Sequence, residues 1–248
     1  MSSFGRADEL APRTVTGSAR LGATLHDVLL SPSKGFAAVA RGNERRARTG
    51  RHPAEGFAPY VLTAVGGMAL TLLWLKIGAL AGIRHVCSDR YLLANVVASL
   101  FIGAIVASIG YGLWGLVGRR VFARMGTTVA REDLRAAWGM SALPQVAVVG
   151  VLLPLDLLVV GQRAFMTTQL HDSVATVWAA LSVAFAISLA VWSLYLFVTG
   201  LRSITSSGWR ETGIATLVAI ACVGIVVGAL VVGASFLPEA RGCPTRLG

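Results

Sequence analysis

The chain has 248 residues, 55% of them hydrophobic and only 14% charged, with a formal net charge of +10. Soluble domains carry roughly 25% charged residues, so this balance excludes an ordinary soluble domain. The basic excess does not point to nucleic acid: the arginines flank apolar runs, as in membrane proteins, and there is no soluble basic domain to bind it. Arginine outnumbers lysine twenty to two, as expected of a high-GC bacterial genome.

In chain order, residues 1–56 form a basic tail. No signal peptide is expected at its head, because the first thirty residues lack an apolar core before a small-residue cleavage site. Residues 1–24, rich in Ser, Thr, Gly, Ala and Arg, read as disordered. A short amphipathic segment follows at about 25–40, with Leu25, Val28, Leu29, Leu30, Phe36 and Val39 as its apolar residues. Ser31 at a cap and Pro32 just inside a start predict a helix here. Its apolar side is expected on the membrane surface, in preference to a soluble partner. Arg41, Arg45, Arg46, Arg48 and Arg51 then precede the first apolar run. They are candidate contacts for anionic lipid; the alternative is that they only fix topology.

Five apolar stretches are each long enough to cross a bilayer, which takes about twenty residues. They run over residues 57–83, 93–117, 136–161, 174–200 and 213–237. Each is too long and too continuous for a barrel strand, so the expected fold is all-α: a polytopic bundle of five transmembrane helices. With the N-terminus in the cytoplasm, sixteen basic residues fall on the inner side and five on the outer. That bias orients the chain and leaves the C-terminal tail, 238–248, outside. Tyr60, Tyr91, Trp114, Trp138, Trp178, Trp192 and Tyr195 are expected near the interfaces. The expected location is the inner (plasma) membrane of the cell.

Three segments carry a family resemblance. They are Leu-His-Asp-Val-Leu-Leu-Ser-Pro-Ser-Lys-Gly-Phe at 25–36, Ala-Ala-Trp-Gly-Met-Ser-Ala-Leu-Pro at 136–144 and Val-Trp-Ser-Leu-Tyr-Leu-Phe-Val-Thr-Gly-Leu at 191–201. Their order, followed by a basic loop and a fifth apolar run, resembles the Yip1 family of five-span membrane proteins over residues 25–237. The resemblance implies a cytosolic N-terminal region, a five-helix bundle and no enzymatic activity. The contact with small trafficking GTPases that it implies for eukaryotic members does not carry over to a bacterial chain, and no functional residues transfer.

Enzyme signatures are absent: the sequence contains no His-Glu-x-x-His, Cys-x-x-Cys or Gly-x-Ser-x-Gly. The histidines at 26, 52, 85 and 171 are scattered, and neither a metal nor a cofactor is expected. Gly110-Tyr111-Gly112-Leu113-Trp114-Gly115 formally matches the dinucleotide fingerprint but lies inside the second span, without the strand that would confirm it. The small residues Ala104, Ser108 and Gly112 read instead as a surface for close helix approach, as do Gly78 with Gly82 and Gly224 with Gly228.

The intramembrane charges are the sharpest candidates. Lys76 lies roughly 9 Å past the middle of the first span and Asp156 roughly 12 Å past the middle of the third, at 1.5 Å per residue. Both spans run outward, so the two charges share a depth, and pairing would lower the cost of burying either. The alternatives are snorkelling for Lys76 and a headgroup position for Asp156. Pro144 and Pro154 predict a kinked third span, and a cavity, if present, is expected at Gln145, Pro154, Asp156 and Lys76. Cys87 and Cys243 fall on the same outer side and form a candidate disulfide, with two free thiols as the alternative. Cys222 reads as a small apolar residue of the fifth span.

The leading function is a membrane scaffold or interaction protein. Its partners are the bilayer, a membrane or cytosolic protein engaging residues 25–56, and a second copy of the chain. The alternative is a small permease or membrane subunit of a transport system that uses Lys76 and Asp156. An intramembrane enzyme would need a nucleophile or metal cluster at depth, which the sequence does not supply.

Overall fold

A computed structural model describes residues 17–49, 57–81, 92–161, 165, 173–205 and 208–235. The described residues are helical and contain no strand. Two helices come from the tail, α1 (Gly17–Leu30) and α2 (Pro32–Thr49). They are followed by α3 (Phe57–Leu80), α4 (Leu92–Arg124) and α5 (Arg131–Ser141). A short turn α6 (Gln145–Ala147), a π-helical turn (Val148–Leu152) and α7 (Leu153–Val159) continue the path of α5. The chain closes with α8 (Ser173–Thr205) and α9 (Trp209–Ser235).

Three helices are long and apolar enough to cross a membrane: α3 over Ala58–Leu80, α4 over Val96–Arg124 and α8 over Ser173–Thr205. The pair α5 and α6–α7, bent by 42° at its break, is a fourth if it is one span. α4 and α8 run past the expected limits at residues 117 and 200, because an apolar window stops where arginine begins while helical hydrogen bonding does not.

α3 lies at the centre, with 39% of its apolar window buried against 11% for α4. Its contact with α4 is closest at Gly67 and Gly103. A Cβ at Gly103 would stand 2.5 Å from the Gly67 carbonyl oxygen and from Thr71 Oγ1. Gly103 and Ala107 face α3 here, and Gly112, expected with Ala104 and Ser108 to let helices approach closely, has open space where its side chain would be. Glycine serves in the same way between α3 and α5, where a Cβ at Gly139 would collide with the backbone of Pro59.

The third expected span is not a simple kinked helix. α5 ends in successive tight turns, with Ala142 N–H bonded to Gly139 O at 3.1 Å and Leu143 N–H to Met140 O at 3.2 Å. Pro144 has no N–H with which to continue the ladder. Ten residues on, Pro154 would crowd the Gly150 carbonyl of a regular helix. The π-helical turn at Val148–Leu152 widens the backbone just before it and accommodates the ring.

The tail differs most from expectation. Residues 17–24, expected to be disordered, belong to α1. A helix does start at Pro32 with Ser31 before it, as expected, but a second helix precedes it and the two form a hairpin whose corner is Ser31: Ser31 N–H bonds Asp27 O at 2.8 Å, and Ser31 O accepts from Gly35 N–H at 3.0 Å. Gly35 permits this corner, since a Cβ there would stand 2.5 Å from Val28 N. The apolar side does not lie outward towards lipid. Val28 and Phe36 are both 0% exposed, packed in a cluster with Trp114, Phe122, Leu134, Leu196, Phe197 and Leu201. The Phe36 ring lies on Gly200 of α8, where a Cβ would meet it at 2.9 Å. A polar bond joins the same seam, Asn43 Nδ2 to Asp133 Oδ1 at 2.7 Å. Burial against the bundle gives α1 and α2 the tertiary support that short helices need in water.

Trp114 belongs to the core. It is 3% exposed, donates its indole N–H to Leu134 O at 3.1 Å, and packs with Trp138 and Phe197 at ring separations of 5.9 and 5.5 Å. Trp74, Trp192 and Tyr195 remain exposed.

Candidate functional site

Lys76 and Asp156 meet inside the bundle. Lys76 sits one turn before the end of α3, on the face turned to α7 and α8, and Asp156 sits in the first turn of α7. Their side chains are 2% and 1% exposed. Lys76 Nζ donates to Asp156 Oδ2 and, at 2.7 Å, to Ser182 Oγ of α8. The other carboxylate oxygen, Oδ1, accepts the indole N–H of Trp178 at 3.0 Å. Phe165 covers the ammonium, its ring centroid 6.0 Å from Nζ.

This arrangement follows from the energetics of charge in an apolar medium. An isolated ammonium or carboxylate at this depth is expensive, whereas a pair with zero net charge and further hydrogen bonds is tolerated. Each charge here has a hydrogen-bonding partner besides the other charge. Trp178 and Ser182 are four residues apart in α8 and so share one face, which lets one helix serve both halves of the pair. The lysine does not snorkel, and the aspartate is not in a solvent-exposed headgroup position.

The sequence alone did not assign Ser182 and Trp178 to this site. The Trp178 N–H points inward to a carboxylate. The available signal was the spacing, a hydrogen-bonding tryptophan and a serine at i and i+4 near the depth of two charges.

The four residues expected around a cavity separate. Lys76 and Asp156 are together. Gln145 is buried and donates to Ser193 Oγ of α8 at 3.2 Å, and Pro154 is exposed. What the two breaks share with the ion pair is their helix: the π-helical turn ends four residues before Asp156.

Among the described residues, no group of three or more His, Cys, Asp and Glu is placed to hold a metal. His26 lies exposed beside Asp27, 3.7 Å away. Gly110 to Gly115 lie in the middle of α4, and Gly110 and Gly112 face open space. Of the tail arginines, Arg41 is exposed on α2, and Arg45, Arg46 and Arg48 belong to the same helix. Arg51, Cys87 and Cys243, and with them the candidate disulfide, lie outside the described residues.

No protein-family model, no curated protein and no solved structure matches this chain.

Proposed function

We propose that the chain is a non-enzymatic membrane scaffold of Yip1-like architecture. It crosses the inner membrane five times, with α9 as the last span, the N-terminus in the cytoplasm and the C-terminus outside. The observation that carries this reading is the docked hairpin. Val28 and Phe36 are sealed against the inner end of the bundle, so the tail is a built part of the membrane domain and a firm platform for a partner. The placement of sixteen basic residues on that side supports the orientation.

Proximity cross-linking of the intact protein in its own membrane, with the probe at single cysteines in α2, tests the scaffold. Repeated capture of one defined protein through α2, lost when Phe36 is replaced by Ala, is the expected result. Capture of lipid alone would remove the reading.

A second reading, transport, is favoured by one observation: a buried ion pair beside a helix broken at Pro144 and widened before Pro154. Transporters place broken helices at their binding sites. Proton or ion flux into liposomes that is abolished by Asp156→Asn while the fold survives would move the assignment there.

A further inference from the structure

The path from α5 to α7 carries two backbone carbonyls that its own helix does not satisfy, and a proline accounts for each. Leu153 N–H donates to Val148 O, five residues back, as the π-helical turn requires. Val149 O thereby loses the amide that an α-helix would give it, and the next amide in line belongs to Pro154, which has no N–H. Ser141 O stands likewise before Pro144. Gln145 N–H donates instead to Ala142 O at 2.9 Å, and Val146 N–H to Leu143 O at 3.1 Å. Among the described residues no side chain donates to either freed oxygen.

An unpaired carbonyl is costly in an apolar medium, and backbone of this kind is tolerated at membrane depth where it lines water. The two carbonyls alternate with polar side chains along the path. Ser141, Gln145 and Val149 are four residues apart, and Asp156 follows seven residues later. At 1.5 Å per residue those steps are roughly 6, 6 and 10 Å, which one or two hydrogen-bonded waters bridge.

α8 supports the same line. Gln145 is buried and bonded to Ser193, and Lys76 is bonded to Ser182. The two serines are eleven residues apart, close to three turns, so one face of α8 serves both contacts. Between them the π-helical turn meets two alanines, Ala69 of α3 and Ala186 of α8. The Val149 carbonyl points on along the helix, towards the turn of Leu152, which is buried in that same cluster. The break thus supplies a hydrogen-bond acceptor in a layer whose side chains supply none. A metal cation needs about six oxygens converging on it, whereas a proton passed between waters needs only single acceptors in sequence.

We infer that the freed carbonyls of Ser141 and Val149 hold ordered waters which, with Gln145, form a proton route to Asp156. This rests on the transport reading and names its substrate. An arriving proton binds the Asp156 carboxylate as an O–H and leaves again as a proton, and no other bond of the chain is made or broken. Lys76 keeps its bond to Ser182 meanwhile.

The test uses the full chain in liposomes, with a pH-sensitive dye inside and a potassium diffusion potential to drive flux. The wild-type chain is expected to pass protons, and Asp156→Asn to pass none. Pro154→Leu changes an exposed position and supplies the missing N–H to the π-helical turn. It should slow the flux about tenfold, the order that one net hydrogen bond represents. Gln145→Leu should slow it by as much, and it decides the matter if Pro154→Leu does not fold. Leu158→Ala, at a position 81% exposed on α7, should leave the flux unchanged. Flux that is lost in Asp156→Asn but unchanged in either Pro154→Leu or Gln145→Leu would overturn the route and leave the transport reading standing. Passage of sodium or potassium in place of protons would do the same. No flux of any ion would overturn both. Radiolytic footprinting in detergent reads the waters directly, because it labels buried side chains that adjoin bound water. Leu152, 6% exposed, is expected to be labelled in the wild type and protected in Pro154→Leu. An unlabelled Leu152 in the wild type would overturn the inference whatever the flux.

Discussion

Trp178 donates its indole N–H to Asp156 Oδ1 across 3.0 Å, on the opposite side of the carboxylate from the oxygen that Lys76 occupies. The aspartate is thus held from both sides by α3 and α8, and neither bond can lengthen without leaving a buried acceptor short of a donor. A charge-assisted hydrogen bond of this kind contributes about 1.5–3 kcal/mol. Trp178→Phe keeps most of the ring volume and removes the donor, so it should lower stability by that order. Thermal unfolding in detergent checks the value. A Trp178→Phe protein as stable as wild type would mean that the indole only fills space.

The ion pair itself separates a structural from a catalytic or transporting role. Lys76→Met alone leaves Asp156 charged and buried, and should cost about 3–5 kcal/mol. Asp156→Leu alone should cost a similar amount. The double variant removes both charges and their desolvation, and should recover wild-type stability to within about 1 kcal/mol. If the pair only holds the bundle together, the stable double variant keeps every cellular property of the wild type. A stable double variant that loses flux or phenotype would assign chemistry to the pair. The measurements are unfolding in denaturing detergent and complementation of a deletion strain.

The shared height of the two charges in the bundle was legible before their geometry, because residue counts along apolar runs convert directly to height. Which faces they occupy was not, since α3 and α8 are apolar all round and lack a polar stripe to fix their rotation. The same ambiguity hid the seat of the hairpin. Val28 and Phe36 would satisfy a lipid surface as well as a protein one, and only Gly200, far away in sequence, makes the space for the Phe36 ring. The break in the third span was half legible. Pro144 and Pro154 predict disturbance, but how the backbone adapts, by a full break at one and a π-helical turn at the other, depends on packing against α3 and α8. The sequence does not single out Gly67 and Gly103 for the contact of α3 with α4, since among 28 glycines close spacings are common and none of them alone sets a helix's register.

That register is open to a direct test. Gly67→Leu and Gly139→Val would place side chains where the backbones of α4 and α3 already lie, and should prevent folding or lower the expressed, folded fraction severely. Gly112→Ala has open space and sits inside a helix, so it should be neutral or stabilising by up to about 1 kcal/mol. Gly110→Ala should behave in the same way. Fluorescence-detected gel filtration of tagged variants gives the answer in one series. Loss of the folded peak in Gly112→Ala would put the helix contact back at the position the sequence first suggested.

The hairpin should detach without the bundle unfolding, because it packs on the bundle by its apolar face, with Phe36 the largest of the fully buried side chains there. Phe36→Ala removes a fully buried ring, a change that costs about 3–5 kcal/mol in a packed core. Here that energy holds the hairpin to its seat, so the expected effect is local. Amide exchange should rise across α1 and α2 and stay slow in α3 and α8. Gly200→Leu attacks the same contact from the other side, by filling the space under the ring. The two changes remove one interaction between them, so combining them should add little to either alone. Hydrogen exchange read by mass spectrometry distinguishes the outcomes. Uniformly faster exchange throughout the bundle would mean that the hairpin is a structural keystone of the membrane domain. Unchanged exchange in α1 and α2 would mean that Phe36 is not what holds them, and the Asn43–Asp133 bond would become the contact to remove next.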